Sequence, residues 1–138
     1  MIKLTDKELI EKAKKAAENA YVPYSGYTVG AALLTKNGKV YTGCNIENAA
    51  YGPTNCAERT AFFKAISEGE REFSKIAIVG GKNLNFKDYF SPCGVCRQVM
   101  REFCDDAFTI LLGKNDEEYI SLSLSELLPH SFSKSNIT

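Results

Sequence analysis

The sequence predicts an α/β fold: a five-stranded mixed sheet with helices on both faces, a three-layer α/β/α sandwich. Three observations predict it. "VGAALLT" and "KVYTG" flank "KNGK", and an Asn-Gly turn between apolar runs is a strong hairpin signal. The buried-strand runs "KIAIVG" (75–80) and "FTILLG" (108–113) are joined through a helical segment, which makes them parallel and right-handed. The last two apolar runs are separated only by "KNDEE". A parallel crossover needs about a dozen residues, so these two strands pair antiparallel.

The elements come in order along the chain. A first helix is expected over 5–21, where Thr5 and Glu8 form a capping-box pattern and Leu9, Ile10, Ala13, Ala16, Ala17 and Ala20 recur at helical spacing before Pro23. Strands lie near 29–35 and 39–43. A second helix spans 56–68 and stops at Gly69. The strand at 75–80 leads to a third helix starting at "SPCGVC", with Ser91 as N-cap and Pro92 in the first helical position. Strands at 108–113 and 119–124 complete the sheet. Ser123 or Ser125 caps a short "ELL" helix before Pro129, and "SKSNIT" reads as a loose tail.

The 138 residues suit one domain, 1–138, around one core. Hydrophobic residues make up 44% and charged residues 25%, as in an ordinary soluble protein, and no apolar run reaches the roughly 18 residues of a bilayer span. The start "MIKLTDKELIEKAKK" is too charged and too acidic for a secretory signal, so a cytoplasmic location is expected. With 17 basic and 17 acidic residues, nothing electrostatic points to nucleic acid or an anionic membrane as partner. Five cysteines, an odd number in such a setting, argue against a disulfide framework and leave metal binding, redox chemistry or burial.

The chemistry concentrates in "NCAERT" and "SPCGVC". Cys93 and Cys96 lie at i and i+3 on one face of a helix start, where the helix dipole favours thiolates. Cys56 opens another helix. Both helices are expected to follow adjacent buried strands, so their starts can point at one spot. Three thiolates around Zn²⁺ leave one tetrahedral position open, as in a catalytic site. Within a helix, Cys56 and Glu58 would point about 200° apart. At the first turn both can reach a site beyond the helix end, so Cys56 can hold the metal while Glu58 handles the proton of an activated water.

Blander readings stand beside these. Glu58 could be the capping-box partner of Asn55. Cys93 and Cys96 alone serve a thioredoxin-like redox pair as well as a metal. A structural zinc module would need a fourth ligand from Cys44, Cys104 or His130. Otherwise Cys44 and Cys104 read as small buried hydrophobes and His130 as a surface residue. Arg59 could be a surface arginine. Three thiolates and Zn²⁺ nevertheless sum to −1, and Arg59 is the charged neighbour in sequence able to compensate them, with a guanidinium that can contact two sulfurs.

The combination C-A-E, then P-C-x-x-C, matches the general zinc deaminase signature. Beyond it, "AYVPYSGYTVGAALLTKNGKVYTGCNIENAAYG", "NCAERTA", "SPCGVCRQVMREFC" and "SELLPHSF" resemble, in order and spacing, the small homotetrameric cytidine deaminases of pyrimidine salvage. The resemblance implies one zinc ion on Cys56, Cys93 and Cys96, with Glu58 as proton shuttle. It implies that Asn45 and Glu47 bind the ribose hydroxyls within a substrate loop that also includes Ile46, Asn48, Ala49, Ala50 and Tyr51. The Ala57 backbone would hold the pyrimidine carbonyl, and Phe132 would reach into a neighbouring subunit's site. Tyr27 stands where the family usually has phenylalanine beside the base, and "GPTN" and Val95 also depart from its pattern. The implied reaction is hydrolysis of cytidine or deoxycytidine to the uridine nucleoside and ammonia; a related aminopyrimidine nucleoside, such as an antibiotic one, is the alternative substrate.

Overall fold

The computed structural model describes residues 3–138. Helix α1 (Asp6–Ala17) opens on the expected box: the Glu8 N–H donates to the Thr5 hydroxyl at 3.1 Å, and the Thr5 N–H donates to the Glu8 carboxylate at 3.0 Å. It ends at Ala17 rather than at position 21. The backbone of Tyr21 is claimed elsewhere: its N–H donates to the Asn45 carbonyl at 3.0 Å and its carbonyl accepts from Glu47 N–H at 2.8 Å.

Strands β1 (Tyr27–Thr35), β2 (Val40–Cys44), β3 (Phe73–Lys82), β4 (Thr109–Gly113) and β5 (Tyr119–Ser123) form one mixed sheet in the order β2-β1-β3-β4-β5. β1 runs antiparallel to β2 and β3, β3 is parallel to β4, and β4 and β5 are antiparallel, as the short connector requires. The strands after which the two cysteine helices begin, β2 and β3, are not neighbours: β1 lies between them.

Strand alternation builds two cores. Ala32, Ala77, Val79 and Leu111 face α1, meeting Leu9, Ile10, Ala13 and Ala17. Val29, Ala31, Leu33, Ile76, Ile78, Ile110 and Leu112 face the other layer, which contains α2 (Ala57–Ser67), Met100 of α3 (Gly94–Phe103) and Leu124 of α4 (Leu124–Leu127). Ser123 caps α4. The expected loose tail carries a 3₁₀ turn, Lys134–Asn136.

One glycine sets where α2 lies. A Cβ at Gly43 would fall 2.5 Å from the Ala57 carbonyl and 2.6 Å from the Ala61 nitrogen, so α2 rests directly on β2. Ala57, Ala61 and Ala65, spaced four apart, make that contact face possible. Phe62 anchors the helix. It is wholly buried, with its ring 5.2 Å from that of Phe73 in an edge-on pair. Removing such a ring costs about 3–5 kcal/mol.

Candidate active site

Both cysteine helices begin alike. Cys56 is the N-cap of α2 and Cys93 the N-cap of α3, each with extended backbone and no side-chain cap bond. Their carbonyls accept the first helical bonds, from Thr60 and Arg97, at 3.0 Å each. The third helix therefore starts two residues later than expected from Ser91 and Pro92. The carbonyl of Pro92 is taken by the Arg97 side chain instead of a helical N–H. Starting at Cys93 leaves its sulfur just beyond the helix end, with Cys96 in the first turn.

The ligand atoms of Cys56, Cys93 and Cys96 all lie within 4.8 Å of one another, with sulfur separations of 3.8 Å for Cys56–Cys93 and 3.5 Å for Cys93–Cys96. Zinc–sulfur bonds of about 2.3 Å in a tetrahedron require sulfurs about 3.8 Å apart, so the trio fits one Zn²⁺ per chain. Among the described residues no fourth His, Cys, Asp or Glu joins the group, which removes the basis for a closed structural site. Cys44 and Cys104 lie elsewhere, and burial raises both thiols, Cys104 to about 12. His130 is exposed.

Glu58 is 3% exposed and sits in the first turn of α2. Burial pushes its carboxyl up to about 7, and the nearby Cys56 thiolate adds to the shift. It is not a capping-box partner: Cys56, not Asn55, is the N-cap, and the Asn55 amide donates to the Thr60 hydroxyl at 3.1 Å. The Cys56 thiol is held down to about 5 by hydrogen bonding from Cys96 and by the Arg59 guanidinium, whose Nη2 donates to its sulfur at 3.2 Å. Cys96, itself buried and beside the Cys56 thiolate, is pushed upward. Burial works against the charge on Arg59, but its bond to Cys56 and the nearby Cys96 thiol outweigh burial and favour the cation. Among the described residues its buried Nε has no partner. Arg59 is thus turned into the thiol cluster, not outward to a surface acid.

A cavity of about 530 Å³ opens in front of these groups, lined by Tyr27, Val29, Asn45, Glu47, Cys56, Glu58 and Cys93, and also by Ser25, Thr54, Asn55, Phe90 and Ser91. In its wall, the Asn45 carbonyl oxygen accepts from Val29 N–H at 3.0 Å and its amide donates to the Tyr27 carbonyl at 2.8 Å. That leaves one N–H and one lone pair free. Glu47 accepts from Tyr24 N–H at 3.0 Å and Ser25 N–H at 3.1 Å, and from the Ser25 hydroxyl. The Ser25 hydroxyl contributes most to holding the Glu47 carboxyl below its usual range, and about one acceptor site remains. Backbone pairs to Tyr21 and Asn55 pin the loop between Asn45 and Glu47.

Several expected residues lie off this cavity. Asn48 and Tyr51 line an adjoining groove with Tyr24, and Ile46, Ala49 and Ala50 are exposed. Ala57 is buried, and its N–H is the first of α2, without an intrahelical acceptor. Phe132 is 60% exposed and absent from the cavity wall of its own chain. Sequence reading missed Phe90 and Ser91. A Cβ at Gly80 would fall 2.5 Å from Phe90 Cγ, so the paired glycines of "VGGK" were the available signal that a ring presses on the strand there.

Comparison with known proteins agrees with this geometry. The family model of the cytidine and deoxycytidylate deaminase zinc-binding region matches residues 3–112. The chain is 49% identical over 131 residues to a cytidine deaminase of Sporosarcina psychrophila, covering 95% of this chain and 93% of that one. It is 52% identical over 124 residues to that of Halalkalibacterium halodurans, covering 90% and 91%. The crystal structure of cytidine deaminase from Burkholderia pseudomallei superposes with a TM-score of 0.86 at 48% identity, covering 93% of this chain and 99% of that one. This chain belongs to the cytidine and deoxycytidylate deaminase family.

Proposed function

We propose that this protein is a zinc-dependent cytidine deaminase, converting cytidine and deoxycytidine with water into uridine or deoxyuridine and ammonia, in pyrimidine nucleoside salvage. The observation that carries it is three sulfurs at tetrahedral spacing beside a buried Glu58, with Cys56, Cys93 and Glu58 lining the same cavity as Asn45 and Glu47.

Zinc held by Cys56, Cys93 and Cys96 supplies acidification of the attacking water. Glu58 takes a proton from that water, gives it to the ring nitrogen, and later carries a proton to the leaving amine. Burial favours the protonated form of Glu58, which suits a carboxyl that must hold a proton between taking it up and releasing it. Arg59 offsets thiolate charge. The free N–H of Ala57 meets the pyrimidine carbonyl and Tyr27 flanks the base. Asn45 and Glu47 meet the sugar hydroxyls, with Ile46, Asn48, Ala49, Ala50 and Tyr51 completing the loop. Phe132 serves a neighbouring chain in a homotetramer, the whole of 1–138 acting as one domain in the cytoplasm. Its exposure, with that of Tyr51, fits surfaces covered in an oligomer.

Loss of cytidine absorbance with purified protein, measured alongside free cytosine, tests the reading. Turnover of cytidine but barely of cytosine is expected. Inertness toward both nucleosides with zinc bound would overturn it.

A further inference from the structure

Arg97 lies one turn into α3 and spans two parts of the chain. Its Nε donates to the Pro92 carbonyl at 2.8 Å and its Nη1 to the Leu127 carbonyl at 2.6 Å. Pro92 is buried and immediately precedes the ligand Cys93; Leu127 is the last residue of α4. Among the described residues neither carbonyl accepts from a backbone N–H. The next residue, Gln98, donates from Nε2 to the Phe132 carbonyl at 2.9 Å. Two consecutive side chains of α3 thus hold the segment 127–132, which beyond Leu128 is largely exposed and turns at His130 with φ +51°.

These are charge-assisted bonds from a rigid fork. A lysine could satisfy one of the two carbonyls, not both. The fork is anchored at the turn whose thiols hold the metal, so ordering that turn orders the arm. By linkage, docking the arm favours metal retention.

We propose that Arg97 is a positioning residue that ties the metal-bearing turn to the C-terminal arm, so that occupancy of one chain's thiol site sets the order of the Phe132 arm offered to a neighbouring chain. The tie stands on the geometry of this chain; the destination of Phe132 rests on the function proposed above.

Hydrogen exchange of the zinc-loaded and chelated protein tests it. In the wild type, peptides covering 124–132 are expected to exchange at least about fivefold faster after zinc removal. In zinc-loaded Arg97→Lys they exchange fast already and change less than about twofold on chelation, while peptides of α1 and β3 match wild type. Gln98→Ala, which spares both Arg97 bonds, loosens 130–132 and leaves the response at 124–128. Unchanged exchange of the wild-type segment on chelation, or a full metal response in Arg97→Lys, would overturn the tie. A raised KM for cytidine with near-normal kcat in Arg97→Lys supports the arm's delivery to a neighbour. An intact tie with unchanged KM would overturn that delivery, and cytidine inertness of the wild type would overturn the function alone.

Discussion

The starts of α2 and α3 share a backbone design and differ in the side chains of their first turns. Each is capped by an extended cysteine whose sulfur lies outside the helix. In α2 the first turn holds buried Glu58 and the sulfur-bound Arg59. In α3 the position corresponding to Glu58 is exposed Val95, and the arginine of the turn binds two carbonyls instead of a sulfur. The shared cap geometry makes a ligand position. The neighbouring side chains then decide what else a helix start adds: a buried carboxyl at α2, a second thiol and a carbonyl-binding arginine at α3.

The contrast is sharpest at the second helical residue. Glu58→Gln keeps shape but cannot shuttle protons, and is expected to lower cytidine turnover by about 10²–10⁴-fold or more while zinc content stays at wild-type level. Val95→Ala, its counterpart on α3, should change turnover less than about threefold. Equal effects of the two would break the asymmetry. Steady-state rates with zinc determined on the same samples provide the check.

The arginines come next. Arg59→Ala is expected to lower zinc affinity or turnover by roughly 10-fold to 100-fold, the worth of a charge-assisted bond, and Arg59→Lys to restore part of it because a point charge cannot fork. Chelator competition and the pH profile of turnover read this out. Wild-type values in both would show that the thiolates need no compensation from this side chain.

A smaller effect is expected at Asn45, whose amide is already partly engaged with backbone. Asn45→Ala should raise KM for cytidine about tenfold or more and leave the slow reaction of free cytosine unchanged. A parallel fall for both substrates would mean that Asn45 acts only by holding β1.

The pH effect belongs to the metal-free protein. Glu58 is raised from 4.5 to about 7, so its contribution to stability is fully present below pH 4.5 and is lost as pH rises through 7. That difference corresponds to roughly 3 kcal/mol for a buried group. Metal-free Glu58→Gln should therefore outlast metal-free wild type in urea at pH 8, with the advantage vanishing near pH 4. An advantage that does not vary with pH would assign it to packing.

Much of this was legible in the residues. The Asn-Gly turn, the short "KNDEE" connector and the helix-linked apolar runs carried the strand pairings, because each fixes a connection length. The thiol trio and Glu58 stood out only in combination: each has another use at a helix start, but C-A-E followed by P-C-x-x-C matches the zinc deaminase signature. The start of α3 was misread, since Ser91 and Pro92 have good capping chemistry and nothing local announces that Arg97 will take the Pro92 carbonyl. The end of α1 was misread because Tyr21 pairs with a segment more than twenty residues away. Phe90 escaped because its place depends on Gly80, a contact between distant positions that no local period encodes.

If one zinc on Cys56, Cys93 and Cys96 makes this chain a deaminase, activity must follow metal content. Stepwise chelation, with zinc per chain and cytidine turnover measured at every step, tests it most directly. Activity should fall in proportion to zinc from one ion per chain to none, return on adding Zn²⁺, and fail to return in Cys93→Ala. Turnover that persists in zinc-free protein, or full activity in Cys93→Ala, would contradict the account.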